Sequence, residues 1–240
     1  MKVYAQSDIG CVRAINEDSY YAPAPGENFC CVADGMGGHQ AGEVASAMAV
    51  EVFSGMMRDT LFNPHDRLRR AVSAANQAIY EKARSTPEMA GMGTTITALL
   101  IDKGEAHIAH VGDSRCYLLR NRILMQLTSD HTLVEELLIK GAITPKEARN
   151  HPQRKVITRA LGTAGGVEID LLRVRTQPGD MFLLCSDGLS GCVSEREMLE
   201  TLNSRMRREN KVAALVEQAL DSGGHDNITV MLVAPEEDEK

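Results

Sequence analysis

Apolar and polar positions follow two rhythms along this chain. A two-residue or continuous apolar rhythm marks short strands at Val3 to Ser7, Ser19 to Ala22 and Phe29 to Ala33, separated by turn residues that include Pro23, Pro25 and Gly26. The period then lengthens. Between Ala41 and Arg58, residues Val44, Met48, Val52 and Met56, flanked by Ala45, Ala49 and Phe53, fall on one helical stripe. Leu68, Val72, Ala75 and Ile79 do the same between Asp66 and Arg84. Strands return at Thr94 to Ile101, Glu105 to Val111, Cys116 to Arg120 and Ile123 to Leu127, the last two joined through Asn121 as a hairpin. Thr132 to Ala160 reads as short helices forming a flap over about 131–165, and Thr144-Pro145-Lys146-Glu147 combines a capping box with proline at the first helical position. Gly166 to Arg175 alternates in part, and Met181 to Cys185 is a buried strand. A second capping box, Ser194 to Glu197, opens a helix; another runs from Lys211 to Leu220 and stops at Gly223-Gly224. Ile228 to Val233 closes the pattern as a strand.

Strands come in consecutive groups with helices between the groups, which predicts a layered α+β fold. The 240 residues contain no linker-like stretch, so one domain spanning 1–240 is expected. Composition narrows the picture: 43% of residues are hydrophobic, yet only 4% are aromatic and none is Trp, so the core is built from Val, Ile, Leu, Met and Ala. A formal charge of −7 argues against broad nucleic-acid binding. No apolar run reaches the roughly 20 residues of a membrane span, and Met1 to Asp8 turns polar too early for a signal peptide. Cys30, Cys31, Cys116 and Cys185 sit in apolar runs and no pair has C-x-x-C spacing, so buried, inert thiols and a cytoplasmic setting are expected.

The candidate chemistry lies where apolar runs break. Asn16-Glu17-Asp18, Asp34-Gly35, Gly112-Asp113-Ser114, Ser186-Asp187-Gly188 and Asp226-Asn227 place acids beside strands from one end of the chain to the other. Asp34 and Asp187 follow buried strands at their exits, and Asp226 precedes one. A carboxylate there is costly to desolvate unless a cation or hydrogen bonds compensate it. A single Asp-Gly is usually a turn. Five such signatures point to a polar centre assembled by the fold, and oxygen-only ligands suit Mg²⁺ or Mn²⁺. No P-loop, dinucleotide fingerprint or calcium-sensor loop is present to claim these residues.

Arg13-x-x-Asn16-Glu17-Asp18, Asp34-Gly35-Met36-Gly37-Gly38, Gly93-Thr94-Thr95, Gly112-Asp113-Ser114-Arg115, Asp130-His131-Thr132, Ser186-Asp187-Gly188-Leu189 and Asp226-Asn227 occur in the order seen in metal-dependent protein phosphatases of type 2C. The chain resembles the compact bacterial members over nearly its whole length. The resemblance implies a four-layer α-β-β-α sandwich, two antiparallel sheets flanked by helices, with two Mn²⁺ or Mg²⁺ ions at one end and possible room for a third. It implies Asp34 as the bridging ligand, the Gly35 carbonyl, Asp187 and Asp226 as further ligands, and Glu17 reaching one ion through water. Asp18 and Asn227 would orient bound waters, and Asp113 would join Asp187 at the third ion.

The implied reaction is hydrolysis of phosphoserine and phosphothreonine in phosphoproteins, with two cations roughly 3.5–4 Å apart activating the attacking water. Arg13, with its planar fork, is the candidate phosphate clamp. The sequence departs from animal members at Met36, where a proton-donating histidine follows their Asp-Gly; nearby His39 and a metal-bound water are the candidate donors. The expected partners are substrates of a cognate Ser/Thr kinase, with no nucleic acid and no membrane insertion, and the expected state is a monomer. A pseudophosphatase binding module and a phosphatase of small phosphorylated metabolites are the alternatives. Every expected acid is present, which speaks against the first.

Overall fold

The computed structural model describes residues 1–37, 41–149 and 151–235. One sheet carries, in spatial order, β1 (Lys2–Asp8), β11 (Ile228–Ala234), β10 (Met181–Cys185), β7 (Arg115–Arg120) and β8 (Ile123–Gln126), every neighbouring pair antiparallel. The other carries β2 (Asp18–Tyr21), β3 (Phe29–Met36), β5 (Ile96–Asp102), β6 (Glu105–Val111) and β9 (Asp170–Arg175), with the two-residue β4 (Gly93–Thr94) added to the far end of β3. Helices α1 (Ala41–Met57) and α2 (Pro64–Ser85) cover the second sheet. Helices α6 (Glu195–Asn203) and α7 (Arg208–Asp221) cover the first, while α3 (Leu133–Ile139) and α4 (Pro145–Arg149) lie in the segment read as a flap.

The two-residue period of each strand sorts its side chains into three apolar layers. On β3, Phe29, Cys31 and Ala33 pack under α1 and α2, whereas Cys30 and Val32 point between the sheets. On β10, Leu183 and Cys185 face α6 and α7; Phe182 and Leu184 face inward. Leu99, Ile108, Leu118, Met231 and Val233 complete the middle layer. This is the four-layer α-β-β-α sandwich. Cys30, Cys31, Cys116 and Cys185 are fully buried and unpaired, and loss of solvent pushes the Cys31 and Cys185 thiols up to about 12.

Several boundaries differ from the pattern-based expectation for identifiable reasons. Helix α2 begins at Pro64, because Asn63 caps it by accepting from the Asp66 N–H at 3.0 Å with proline in the first turn. The β7–β8 hairpin turns through Asn121 and Arg122, both at positive φ, which is the two-residue turn that matches strand twist. Strand β9 starts only at Asp170. Residues 151–160 are turns and isolated bridges, including Thr132 with Ile157, and contain no helix. The helix α5 (Asp187–Ser190) begins on a predicted site residue and was not expected. Strand β3 also runs on to Met36, so Asp34 lies inside the strand and not at its exit.

Candidate metal centre

The middle apolar layer turns polar at one end, and strand parity says which residues do it. After Cys30 and Val32, the next inward position on β3 is Asp34; after Phe182 and Leu184, the next beyond β10 is Ser186; before Met231 and Val233 on β11 comes Thr229. Asp18 is the register partner of Asp34 across the β2–β3 ladder, which sets two carboxylates directly opposite each other. Asp18 Oδ2 accepts from Ser186 Oγ and Thr229 Oγ1, both at 2.7 Å, linking the two sheets. Among the described residues its Oδ1 is buried with no partner, and Glu17 Oε1, buried beside it in the chain, has none either.

Backbone geometry fixes the rest. The Asp34 N–H donates to Thr95 Oγ1 at 2.9 Å, and Thr94 Oγ1 and the Thr95 N–H donate to the Asp34 carbonyl. Gly35 donates to the Glu17 carbonyl at 3.0 Å, and a Cβ on Gly35 would strike the Gly42 carbonyl oxygen and come within 2.5 Å of that of Glu17. Gly42, in the first turn of α1, has no room for a side chain either: its Cβ would meet Glu17 Oε1. Asn227 accepts from the Glu17 N–H at 2.8 Å and donates to the carbonyls of Ile9 and Ile15 at 2.9 and 3.0 Å. Its amide therefore staples the 9–17 segment in place. His131 serves a similar end: its Nδ1 accepts from the Gly112 N–H at 3.0 Å and its Nε2 lies 3.2 Å from Asp170 Oδ2, anchoring the loop that carries Asp113.

Five carboxyls feel the crowding. Burial, and then the charges of Asp18, Asp187, Asp113 and Asp226, hold Asp34 well above the ordinary carboxylate range. Burial raises Asp18 to about 7 against the opposing pull of its two hydroxyl bonds, and raises Asp113 to about 7 with Asp187 and Asp130 adding to it. Glu17 and Asp187 are raised chiefly by the same loss of solvent. Asp226 alone is lowered: burial would raise it, but the Arg13 and Lys155 contacts outweigh that. Arg13 holds Asp226 in a two-pronged pair, Nε to Oδ1 at 2.8 Å and a terminal nitrogen to Oδ2 at 3.1 Å. Lys155 Nζ lies 3.0 Å from Asp226 Oδ2 and 3.4 Å from Asp187 Oδ2. Asp113 and Asp187 share one wall of a groove of about 350 Å³ whose other wall is α3, Arg154 and Lys155.

Among the described residues no three His, Cys, Asp or Glu side chains already stand close enough to hold one ion. The residues nevertheless suit a hard divalent cation. All donors are oxygen, two buried carboxylate oxygens have no partner among the described residues, and five carboxyls are held above their usual range by mutual charge and lost solvent. Arg13, Glu17, Asp18, Asp34, Gly35, Asp113, Asp187 and Asp226 are thus brought to one end of the sandwich, whereas His39 lies outside the described residues. Met36 packs against Gly93. Pattern reading missed Thr229 and Lys155, and gave Thr95 no role although the Gly93-Thr94-Thr95 motif contains it. The inward parity of β11 was the available signal for Thr229; nothing local marks Lys155.

The protein phosphatase 2C profile matches residues 12–223, almost the whole region that supplies these side chains. The chain belongs to the protein phosphatase 2C family. It is 43% identical over 235 residues to the serine/threonine phosphatase Stp of Listeria monocytogenes, covering 95% of this chain and 93% of that one. Its fold superposes on the crystal structure of the Mycobacterium tuberculosis serine/threonine phosphatase PstP/Ppp with a TM-score of 0.92, at 43% identity over 98% of this chain and 99% of the other. A crystal structure of the catalytic domain of PstP in complex with two manganese ions matches with a TM-score of 0.87 and 42% identity over 96% of each chain. As a member of this family the chain shares its two-sheet architecture, with the acid-lined end described above. Among the described residues no helix is long and apolar enough to cross a membrane.

Proposed function

We propose that this chain is a metal-dependent phosphoprotein phosphatase that hydrolyses phosphoserine and phosphothreonine, and that it opposes a Ser/Thr kinase. The observation that carries the reading is the convergence of Asp18 and Asp34 from one sheet with Ser186, Asp187, Asp226 and Thr229 from the other, at one polar end of the apolar layer between the sheets. The two manganese ions of the PstP catalytic domain support it. When bound, two Mn²⁺ or Mg²⁺ ions supply the positive charge that activates water and shields the phosphoryl group.

Asp34, the Gly35 carbonyl, Asp187 and Asp226 would hold those ions, with Glu17 Oε1 presented to one of them. Asp18, fixed by two hydroxyls, aims Oδ1 at the centre and orients water there. Asp113 shares the groove wall with Asp187 and would complete a third, weaker site. Arg13, with its side chain 46% exposed, turns from Asp226 to clamp two phosphoryl oxygens. The groove under α3 receives the peptide flanking the phosphoresidue, and the 131–165 segment acts as its flap. His39 or a water donates the leaving group's proton. The reading extends to a monomeric cytoplasmic enzyme of one domain, in keeping with six unpaired thiols. The test is hydrolysis of a phosphothreonine peptide and an aryl phosphate by wild type and Asp187→Ala, each with and without EDTA. Turnover dependent on Mn²⁺ or Mg²⁺ and lost in the variant is expected; turnover that survives chelation refutes the mechanism.

A further inference from the structure

We propose that Lys155 is a tethered counter-cation of the metal centre: its ammonium holds the Asp187–Asp226 pair in the metal-free protein, and divalent ions displace it and free the segment that carries it. This rests on the reading of those acids as metal ligands. The geometry is specific to two oxygens. Lys155 Nζ contacts Oδ2 of Asp226 at 3.0 Å and Oδ2 of Asp187 at 3.4 Å, bridging the residue that opens α5 and the residue that precedes β11. A divalent ion bound to the same oxygens at the roughly 2.0–2.1 Å of hard-cation coordination takes up the negative charge that holds the ammonium, and the two cations repel. The ion and the ammonium therefore compete for the same pair of acids.

Lys155 differs here from Arg13. Arg13 grips both oxygens of one acid from a segment stapled by Asn227. Lys155 sits at the tip of a turn held locally by bonds from the Arg154 N–H to the His151 carbonyl and from the Val156 N–H to the Gln153 carbonyl, both 3.1 Å. That turn hangs from the start of α3 through Leu133 to Val156 and Thr158 to His131. Among the described residues its ion pairs with Asp187 and Asp226 tie the tip of the turn to the acid-lined end of the sheets. The side chain is 60% exposed, so release into solvent costs little. Metal loading and the position of residues 151–157 at the groove mouth are thereby coupled through one ammonium group.

The test measures Mn²⁺ affinity by titration calorimetry for wild type, Lys155→Met and Lys155→Arg at fixed ionic strength, with hydrogen exchange followed over residues 151–157. Lys155→Met is expected to bind Mn²⁺ about 3- to 10-fold more tightly, the effect of removing a partly exposed competing charge. Lys155→Arg should remain within about twofold of wild type. Exchange over 151–157 should quicken when Mn²⁺ is added to wild type and be fast already in metal-free Lys155→Met. Equal affinity in wild type and Lys155→Met, or exchange indifferent to Mn²⁺, would overturn the proposal while leaving the phosphatase reading intact. Failure of all three proteins to bind Mn²⁺ would overturn both.

Discussion

Asp18→Asn should stabilise the metal-free protein while weakening the enzyme. The asparagine is isosteric, and its carbonyl oxygen in the place of Oδ2 keeps accepting from Ser186 and Thr229, so the link between the sheets survives. What disappears is a buried charge opposite Asp34. Burial carries Asp18 from an ordinary 3.8 to about 7. At about 1.4 kcal/mol per pKa unit, keeping it ionised in the fold costs ~4 kcal/mol. Because the folded pKa lies above the unfolded one, the group's stabilising contribution is complete below about pH 4 and is lost as pH rises through about 7. The advantage of Asp18→Asn over wild type should therefore be ~4 kcal/mol at pH 8, ~2 kcal/mol at pH 5 and close to nothing near pH 3.5. For a domain of this size ~4 kcal/mol corresponds to a rise in Tm of about 10 °C. Urea unfolding of EDTA-treated proteins at several pH values reads the differences directly. Adding saturating Mn²⁺ should stabilise wild type by more than it stabilises the variant. A metal-free variant that melts at or below wild type at pH 8 would show that Asp18 is satisfied by the protein alone and refute the reasoning.

Two further substitutions separate the site from the scaffold. Gly42→Ala drives a methyl group against the Glu17 carboxylate, whose Cδ would lie 2.8 Å from it, and should weaken Mn²⁺ binding by about 10- to 100-fold. Metal-free stability should fall by about 1–3 kcal/mol, because the methyl group also crowds the Gly35 backbone; unchanged Mn²⁺ affinity in calorimetry would contradict the role given to Glu17. Arg120→Met removes the partner that pairs with the buried Asp180 at 2.9 and 2.7 Å and also donates to the Arg175 carbonyl. Stranding that carboxylate should cost ~3 kcal/mol in urea titrations, with turnover per folded molecule unchanged, since Arg120 lies at the opposite end of β7 from the groove.

Residue patterning alone determined most of the elements and nearly all of the acids, because both signals are local. Alternation on β3 and β10 and the helical stripes of α1 and α2 register in windows of ten to twenty residues, and a carboxylate next to a buried run is visible without knowing what it faces. The ordered motifs from Arg13 to Asn227 then fixed the family and, through it, the two-sheet architecture. Only the tertiary structure decided how those residues are used. That Asp34 sits within a strand opposite Asp18 is a matter of register across β2 and β3, which no single strand encodes. That Asn227 ties down residues 9–17, and that Ser186 and Thr229 meet on Asp18, depends on bringing together positions some 170 to 220 residues apart. Lys155 is the clearest case: it lies in an unpatterned basic turn, and its place at the acids follows from the way residues 151–158 hang from the start of α3. Local chemistry names the acids; their partners are set by packing between the sheets, where charge and loss of solvent act across distances the sequence does not record.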